Sequence, residues 1–321
     1  MSRYFAPAST GNLSVGFDLL GAAFEPTDGQ ALGDELIILG ESDALELRVS
    51  GRYVHQLPGD LNDNLVIKCF YAFEQAVGCT LPPLQLELVK HLPVGSGLGS
   101  SACSIVVALY AFNQHFGQPL SDKELLQLMA QLEGGVSGSV HYDNVAPSFY
   151  GGLQLMLQDS PQICRALPWF EHWRVVLCYP GTVLSTKAAR AVLPKELSLQ
   201  HSIAFAGMLS RFVAALYSRD EQDALAALQD LVAEPPRRRL MPELEPLRAA
   251  LMAEGVGHVG ISGAGPTIFA ICSTGQQAQF AASYLQTQYA KNQDAMTVVC
   301  RLAQQGARAL QDQNTGLSRC N

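Results

Sequence analysis

The stretch from residue 92 to residue 113, L-P-V-G-S-G-L-G-S-S-A-C-S-I-V-V-A-L-Y-A-F-N, constrains this chain more than any other. Three glycines alternate with small or apolar residues, Ser100 and Ser101 follow, and an apolar run without Pro or Gly comes next. This order predicts a Gly-rich turn that leads into the N-terminus of a buried helix. Free backbone N–H groups and the helix dipole make such a turn an anion site, most often for phosphate. A flexible connector before a core helix is the alternative.

Two standard phosphate-binding motifs do not fit this stretch. A P-loop ends in Gly-Lys-Ser/Thr, but here Gly99 is followed by Ser100. A dinucleotide fingerprint needs a third glycine at position 100, directly after the first strand of a βαβ unit, whereas this loop begins only at residue 92. The sequence therefore predicts a third kind of phosphate loop and disfavours a dinucleotide-dependent oxidoreductase.

Length and charge limit the number of domains and the class of partner. The chain has 321 residues, of which 48% are apolar and 16% charged, so a large core and two domains are expected. We place the domains at residues 1–160 and 161–321, with the boundary in the segment 158–168. The formal net charge of −8 argues against a nucleic-acid partner, because no excess of cations is present to neutralise phosphates. A few local arginines can still bind a small anion.

The eight cysteines are scattered and form no Cys-x-x-Cys pair, so neither a metal knuckle nor a disulfide framework is predicted. The first six residues, M-S-R-Y-F-A, contain no signal-like apolar core. No apolar run reaches membrane-spanning length. These features predict a protein of the reducing cytoplasm without a membrane partner.

Apolar periodicity and turn signals predict the elements around the loop. In the first half, strands are expected at residues 3–6, 35–39, 44–49, 84–89 and 149–157, and helices from the cap at residues 62–64 to residue 77 and at residues 121–132. The second and third of these strands alternate as in an antiparallel sheet. In the second half, helices are expected at residues 185–191, 201–233 and 276–289, and strands at residues 174–179, 297–301 and on both sides of a Gly turn within 259–270. The segment 234–239 is expected to break the long helix, and the polar tail from residue 303 is expected to fray.

Several polar residues allow two interpretations each. Asn12 and Asp18 can border one pocket if their loop wraps, or else make a turn and cap a short helix. Glu133, at the predicted end of its helix, opposes the dipole, which indicates either a divalent cation or an exposed side chain without a role. His141 is a pocket residue or a structural histidine. The arginines at 237–239 form a solvated face, or the flanking prolines aim one of them inward.

Three segments together resemble a known family. Residues 7–21, 92–103 and 259–269 are similar in order and spacing to the three motifs of the GHMP small-molecule kinases, and the loop P-x-G-x-G-L-G-S-S is highly specific to them. Within that family, S-x-x-N-L-x-V-G-F-D, H-Y-D-N-V-A-P and S-T-x-x-A-R are similar to the bacterial, enteric-type branch that phosphorylates homoserine on the way to threonine. The resemblance covers residues 3–308.

The resemblance implies an α+β fold of two domains with the active site between them. The N-terminal domain would contain a left-handed βαβ unit, against the usual hand. The C-terminal domain would be ferredoxin-like. It also implies a homodimer that uses ATP and Mg²⁺.

The resemblance also implies the site residues. The loop that wraps the ATP phosphates would comprise Pro93, Val94, Gly95, Ser96, Gly97, Leu98, Gly99, Ser100, Ser101, Ala102 and Cys103. Asn64 and Lys90 match positions near the nucleotide, and Ser101 and Glu133 match the positions that hold Mg²⁺. The residues that match the substrate pocket are Asn12, Asp18, His141, Asp143, Asn144, Thr186, Arg190 and Arg237. Arg237 is chosen over Arg239 as the second carboxylate ligand because it follows Glu-Pro-x.

The chemistry of these residues agrees with phosphoryl transfer, which needs charge neutralisation and alignment more than covalent help. The predicted catalytic residues are Asn12, Asp18, Glu133 and Asn144. Several GHMP kinases place an Asp base near the end of the third loop, but this chain has Asn144 there, preceded by Asp143. We therefore expect transfer without a dedicated base, the hydroxyl proton passing to the γ-phosphate.

Two other functions remain open at this point. A GHMP kinase for an isoprenoid alcohol would not need Arg190 or the Ser-Thr segment before it. A non-catalytic sensor of ATP or an amino acid would not need Ser101 and Glu133, and both are present.

Overall fold

The computed structural model describes residues 1–157 and 160–311. The strands are β1 Ser2–Pro7, β2 Ser9–Gly11, β3 Leu20–Pro26, β4 Gly33–Glu41, β5 Glu46–Ser50, β6 Leu84–Val89, β7 Leu153–Met156, β8 Cys164–Leu167, β9 Arg174–Tyr179, β10 His258–Ile261, β11 Ile268–Cys272, β12 Met296–Leu302 and β13 Arg308–Leu310. The α-helices are α1 Leu65–Val77, α2 Ser100–His115, α3 Asp122–Ser137, α4 Val145–Tyr150, α5 Thr186–Ala191, α6 Leu199–Ser218, α7 Glu221–Ala227, α8 Glu234–Arg237, α9 Leu244–Ala253 and α10 Gly275–Gln288.

The first sheet has the strand order β13-β1-β4-β6-β5. Its neighbours pair antiparallel except β5 and β6, which are parallel and are connected by α1. This is the expected βαβ unit. The antiparallel pairing predicted for residues 44–49 is wrong, because a helical crossover returns the chain in the same direction. Alternating burial marks a strand but does not report its direction.

The second sheet has the order β10-β11-β9-β12-β3-β7-β8, and β2 pairs with β3. Its first four strands, with helices α6 to α9 after β9 and α10 after β11, have the βαββαβ connectivity of a ferredoxin-like unit. The predicted architecture of the C-terminal half is thereby confirmed. Pairing of β12 with β3 and of β13 with β1 joins the last part of the chain to the first. The division at residue 160 stays a prediction.

Helix α2 lies at the centre of the larger core. Twelve of its residues, from Ser100 to Asn113, are buried, so the helix has no polar face. It packs against α1, α3, β1 and β4. The N-terminus of α2, and with it the end of the Gly-rich loop, is therefore fixed from all sides.

The predicted helix starts at Asn64 and Ser121 are confirmed, but the predicted end of the second of these helices is wrong. Asn64 caps α1 by accepting the Val66 N–H at 3.0 Å, and Ser121 starts α3 with a capping box. Helix α3 continues beyond residue 132 to Ser137, because its two glycines stay helical and only Gly138, with φ of 94°, ends it. Glu133 therefore lies within α3, one helical turn before its last residue.

Other differences have local causes. The strand predicted at residues 149–157 begins later, because residues 149 and 150 end α4 and two glycines with φ of 82° and 70° separate this helix from β7. The predicted long helix is α6 and α7, split at Arg219 with φ of 59°. The segment 234–239 does not break a helix, because its prolines occupy the first turn of α8, where no N–H partner is needed. The tail pairs as β13, so it is not frayed there, and residues 312–321 lie outside the described part.

Within residues 1–157 and 160–311, α6 alone has the length and apolar composition to cross a membrane, and most of its surface is exposed. Its side chains that are buried in the protein are Phe212, Ala215 and Leu216.

Candidate active site

Three segments distant in the sequence meet at the Gly-rich loop. Ser262, after β10, places its hydroxyl 2.7 Å from the Gly97 carbonyl oxygen and 2.9 Å from Thr10 Oγ1. The Thr267 N–H donates to the Ser96 carbonyl oxygen at 3.1 Å. Residues of β2, the loop and the β10–β11 turn, one from each of the three motif-like segments, thus form one hydrogen-bonded unit.

The loop needs glycine for conformation and for space. Gly95, Gly97 and Gly99 have φ of 62°, 82° and 63°, in the left-handed region. A Cβ on Gly97 would lie 2.3 Å from the Ser262 carbonyl oxygen, and one on Gly99 would lie 2.3 Å from Ser9 Oγ. The loop then enters α2, whose first N–H groups have no partner within the helix. The predicted loop-to-helix structure is confirmed, and its role as a phosphate site stays a prediction.

Two side chains with oxygen atoms that could bind a metal lie beside the first turn of α2. The Ser101 hydroxyl donates to Glu133 Oε1 at 2.8 Å, and the Glu133 side chain is buried. Burial raises the pKa of Glu133 to about 7, although the Ser101 hydrogen bond and the charge of His141 oppose the shift. A buried carboxylate and a hydroxyl at a helix N-terminus are donors that fit a hard cation such as Mg²⁺.

The Lys90 side chain lies beneath the loop and is 1% exposed. Its ammonium donates to Asp34 Oδ2 at 2.5 Å, to Ser104 Oγ at 2.9 Å and to the Ser100 carbonyl oxygen at 3.0 Å. These bonds use all three ammonium protons. The group is held by the protein rather than presented to a nucleotide.

The other predicted nucleotide residues divide into two groups. The amide nitrogen of Asn64 is buried without a hydrogen-bond partner among the described residues, so it has a free donor. Cys103 instead donates to the Ala6 carbonyl oxygen at 3.1 Å, in the core. Leu98 and Ala102 are likewise buried, whereas Val94 is exposed. Most of the loop can therefore reach a ligand only through its backbone.

The predicted substrate residues of the two halves are in contact. Asp18 forms a two-point ion pair with Arg190, with distances of 2.8 Å and 3.3 Å. The guanidinium groups of Arg190 and Arg237 both lie over the Phe17 ring, 5.7 Å and 5.6 Å from its centroid. Asp18 has φ of 58° in a turn before β3 and caps no helix. One carboxylate and two guanidinium groups therefore share one place.

The arginine run has one inward member. Arg237 is buried, donates to the carbonyl oxygens of Ala189 at 3.2 Å and Gly263 at 2.9 Å, and has a pKa lowered by burial. Arg238 is exposed and pairs with the buried Glu234 and the exposed Glu245, and Arg239 is exposed. Arg237 rather than Arg239 therefore points inward, as the choice between them requires, and its role as a substrate ligand stays a prediction.

His141, Asp143 and Asn144 line the same region. His141 Nδ1 lies 2.6 Å from Asp143 Oδ1. Burial lowers the pKa of His141, but the hydrogen bond and charge of the Asp143 carboxylate outweigh it, so the pKa is raised. Asn144 Oδ1 accepts from Ser9 Oγ at 3.3 Å. Asn12, with φ of 63°, accepts the Ser14 N–H at 3.3 Å and so makes the turn that was its alternative interpretation. Asn12 is buried in this turn but can still border the pocket.

The remaining substrate candidate is Thr186, the first residue of α5, half-buried and one helical turn from Arg190 on the same face. A cavity of about 470 Å³ adjoins the site and is lined by Asp18 and His141, with Lys123, Gln127 and Tyr142 among its other walls. Phe17 and Asp34 also belong to this region and were not predicted from the sequence. An acidic residue opening the apolar strand of β4 was the available signal for Asp34.

Comparisons with known proteins agree with this architecture. The model of the GHMP kinases N terminal domain matches residues 64–152, and that of the GHMP kinases C terminal domain matches residues 212–291. The structure of homoserine kinase from Cytophaga hutchinsonii is 32% identical, with a TM-score of 0.85, over 96% of this chain and 97% of that one.

Two further structures show a likeness of fold. A Listeria monocytogenes structure assigned as a homoserine kinase is 24% identical, with a TM-score of 0.74, over 97% of this chain and 100% of that one. The L. major mevalonate kinase, in complex with R-mevalonate, is 15% identical, with a TM-score of 0.69, over 95% of this chain and 97% of that one. At these identities the comparison supports the fold and not the substrate.

Proposed function

The chain belongs to the GHMP kinase family, and from that premise we propose that it transfers the γ-phosphoryl group of ATP to the side-chain hydroxyl of L-homoserine, giving O-phospho-L-homoserine. The similarity to the Cytophaga hutchinsonii homoserine kinase extends over nearly the whole of both chains. The reaction would serve threonine biosynthesis in the cytoplasm.

The grouping of Asp18, Arg190 and Arg237 around Phe17 carries this proposal. An α-amino acid bears an ammonium and a carboxylate on one carbon, so it needs an acidic and a basic partner close together. Guanidinium groups bind carboxylates in a two-point geometry, and Asp18 suits the ammonium. A zwitterion can replace the Asp18–Arg190 contact with two new ion pairs, whereas a neutral alcohol cannot.

The nucleotide would bind along the Gly-rich loop. The N–H groups at the start of α2 and the positive end of its dipole suit the phosphates. The free amide donor of Asn64 is available to the rest of the nucleotide. Backbone donors held by α2 supply the alignment on which phosphoryl transfer depends.

Ser101 and Glu133 are the residues that would hold Mg²⁺, since both present oxygen atoms beside the first turn of α2. Bound there, the cation would supply charge neutralisation to the phosphates. Among the described residues no cluster of three or more His, Cys, Asp or Glu side chains could hold a metal alone. Two protein ligands agree with the habit of Mg²⁺ to take its other ligands from phosphates and water.

The hydroxyl proton would pass to an oxygen of the transferring phosphate. Asp143, the alternative base, is already hydrogen-bonded to His141. Asn12 and Asn144 carry amides that can orient the hydroxyl without accepting its proton. Asp143 then contributes to the pocket by holding His141 in place.

The carboxylate-binding assignment is tested with three single variants, Arg190→Ala, Arg237→Ala and Arg239→Ala. Loss of a charged hydrogen bond costs about 1.5–3 kcal/mol, so the first two should raise KM for L-homoserine by about 10- to 100-fold while KM for ATP changes little. Arg239→Ala, at an exposed position of the same run, is the control and should behave as wild type. An unchanged KM for L-homoserine in both inward variants would reject the assignment.

A further inference from the structure

A buried ion pair lies under the phosphate loop. The Asp34 side chain, at the start of β4, is fully buried, as is that of Lys90 at the end of β6. Their charged atoms are 2.5 Å apart. A buried pair of this kind costs desolvation and stabilises a fold little in comparison with apolar side chains of the same volume. An ion pair that adds little stability is therefore expected where the fold or the site needs the geometry that the pair imposes.

The Asp34 carboxylate holds the beginning of the loop. Its Oδ1 accepts the backbone N–H groups of His91 at 3.1 Å and Leu92 at 3.3 Å. Its Oδ2 accepts the Ser104 hydroxyl at 2.7 Å in addition to the Lys90 ammonium. One carboxylate therefore joins β4, the first residues of the loop and the second turn of α2.

The Lys90 ammonium holds the end of the loop. It donates to the carbonyl oxygen of Ser100, the first residue of α2, at 3.0 Å. The Ser100 hydroxyl in turn donates to the Leu92 carbonyl oxygen at 3.4 Å, which links the two ends directly. Ser101, the predicted cation ligand, follows Ser100 in the chain, so its position depends on this contact.

We infer that the Asp34–Lys90 pair is a positioning device for phosphoryl transfer, which fixes both ends of the phosphate loop so that its N–H groups and Ser101 are in place before ATP binds. The inference rests on the proposed kinase function. In this role Asp34 holds the start of the loop, and Lys90 supports the loop rather than binding the nucleotide directly.

The test separates the effect of the Asp34–Lys90 pair on the position of the loop from its effect on the stability of the fold. Asp34→Asn alone leaves the Lys90 charge buried and unpaired, so it is expected to destabilise the fold. The double variant Asp34→Asn/Lys90→Met removes both charges. It keeps an oxygen acceptor for the N–H groups of His91 and Leu92 but loses the donor to Ser100. Glu35→Gln, the same kind of change at the next residue of β4, is the control.

The measurements are thermal unfolding, affinity for a non-hydrolysable ATP analogue by calorimetry, and steady-state kinetics with ATP and L-homoserine varied in turn. We expect the double variant to unfold near the wild-type temperature, with kcat/KM for ATP lowered about 100-fold and KM for L-homoserine nearly unchanged. Recovery of both stability and kcat/KM for ATP to within about twofold of Glu35→Gln would overturn the inference.

If the double variant does not fold, Ser104→Ala gives the answer, because it removes one hydroxyl from the network and leaves the ion pair intact. We expect weaker binding of the ATP analogue, by about 5-fold, and wild-type affinity would overturn the inference. Binding of the analogue needs no acceptor substrate. A wild-type protein that fails to phosphorylate L-homoserine therefore contradicts the proposed function without deciding this test.

Discussion

At the scale of single residues, the site is a set of side chains that satisfy one another. Asp18 and Arg190 neutralise each other, His141 and Asp143 share a hydrogen bond, and the Ser101 hydroxyl donates to Glu133. Pairing of this kind offsets part of the desolvation cost of each group, and removing one partner would leave the other uncompensated. Each pair also marks where a charged group of a ligand can take the place of a protein partner.

The role of Asp143 is tested by Asp143→Asn. A general base contributes about 10²- to 10⁴-fold to the rate, so a fall in kcat of that size with a normal KM for L-homoserine would assign the base to Asp143. Our account predicts instead that KM rises and kcat falls by less than about tenfold. The variant removes the charge that faces His141 and keeps the shape of the side chain.

The raised pKa of Glu133, about 7, predicts a pH dependence of stability in chelator-treated protein. Between the ordinary value of 4.5 and about 7, the folded state binds more protons than the unfolded state, so the free energy of unfolding falls as pH rises through this window. Glu133→Gln lacks this loss. We expect the variant to gain on wild type by about 3 kcal/mol between pH 4.5 and pH 8, measured by denaturant unfolding.

Taking the difference in the free energy of unfolding between wild type and Glu133→Gln removes the contribution of titratable groups that both proteins contain. A difference in stability that does not change with pH would contradict a buried, reluctantly ionised Glu133. Added Mg²⁺ should stabilise wild type more at pH 8 than at pH 6, and should stabilise the variant little at either pH, because a metal ligand must be deprotonated.

Among the elements, the two ends of the loop are joined by a hydrogen bond from Ser100, the first residue of α2, to the Leu92 carbonyl oxygen. Gly97→Ala places a Cβ 2.3 Å from the Ser262 carbonyl oxygen at φ of 82°. We expect kcat/KM for ATP to fall at least about tenfold. Gly117→Ala is the matched control, because Gly117 has φ of 81° after α2 and open space around it. It should cost about 1–2 kcal/mol of stability with normal kinetics, and equal kinetic loss in both variants would contradict a steric role for Gly97.

The elements that could be predicted from the sequence have strong local signals. The apolar run of α2, the caps at Asn64 and Ser121 and the glycines of the loop are visible in short stretches of sequence, although distant residues pack against the folded elements. The parallel pairing of β5 and the return of β13 to β1 depend on partners far along the chain, which no local pattern reports.

The site residues, like the elements, could be predicted only where a local motif marks them. Motif residues such as Asp18 and Arg190 were found through their resemblance to a family, and the structure adds that they are in contact. The inward direction of Arg237 depends on α8, which Pro235 and Pro236 start rather than break. Asp34 was missed because a single acidic residue at a strand start has no distinctive spacing, and only its contacts reveal its role.

At the scale of the whole molecule, α6 presents an uncovered face. Five of its exposed residues form one stripe along the helix, Ile203, Ala206, Ser210, Ala214 and Tyr217, and the exposed Arg211 beside them is paired with Asp223. The stripe has large residues at both ends and small ones between, and it is symmetric about Ser210. An antiparallel pairing with α6 of a second copy would place Ile203 against the partner's Tyr217, with the small residues allowing a close approach, as an isologous interface requires. The predicted homodimer therefore has a surface that fits it.

Ser210→Arg tests this surface, because it places a charge at the centre of the stripe. We expect a dimer for wild type and a monomer for the variant by light scattering after gel filtration. Tyr71→Arg, at an exposed aromatic residue of α1, is the control and should stay dimeric. A monomeric wild type, a dimeric Ser210→Arg, or sedimentation of the wild type with lipid vesicles would contradict the pairing.

The proposed phosphorylation of L-homoserine is tested by identifying the product of one reaction. The purified chain is incubated with ATP and Mg²⁺ and with L-homoserine, L-serine, mevalonate or galactose in turn, and each product is identified by mass. Our account predicts that L-homoserine is phosphorylated in preference to the others, with one ADP formed for each product. Preferential phosphorylation of mevalonate or galactose would keep the kinase and reject the substrate, and binding of ATP without turnover of any of the four would contradict the account in favour of a sensor.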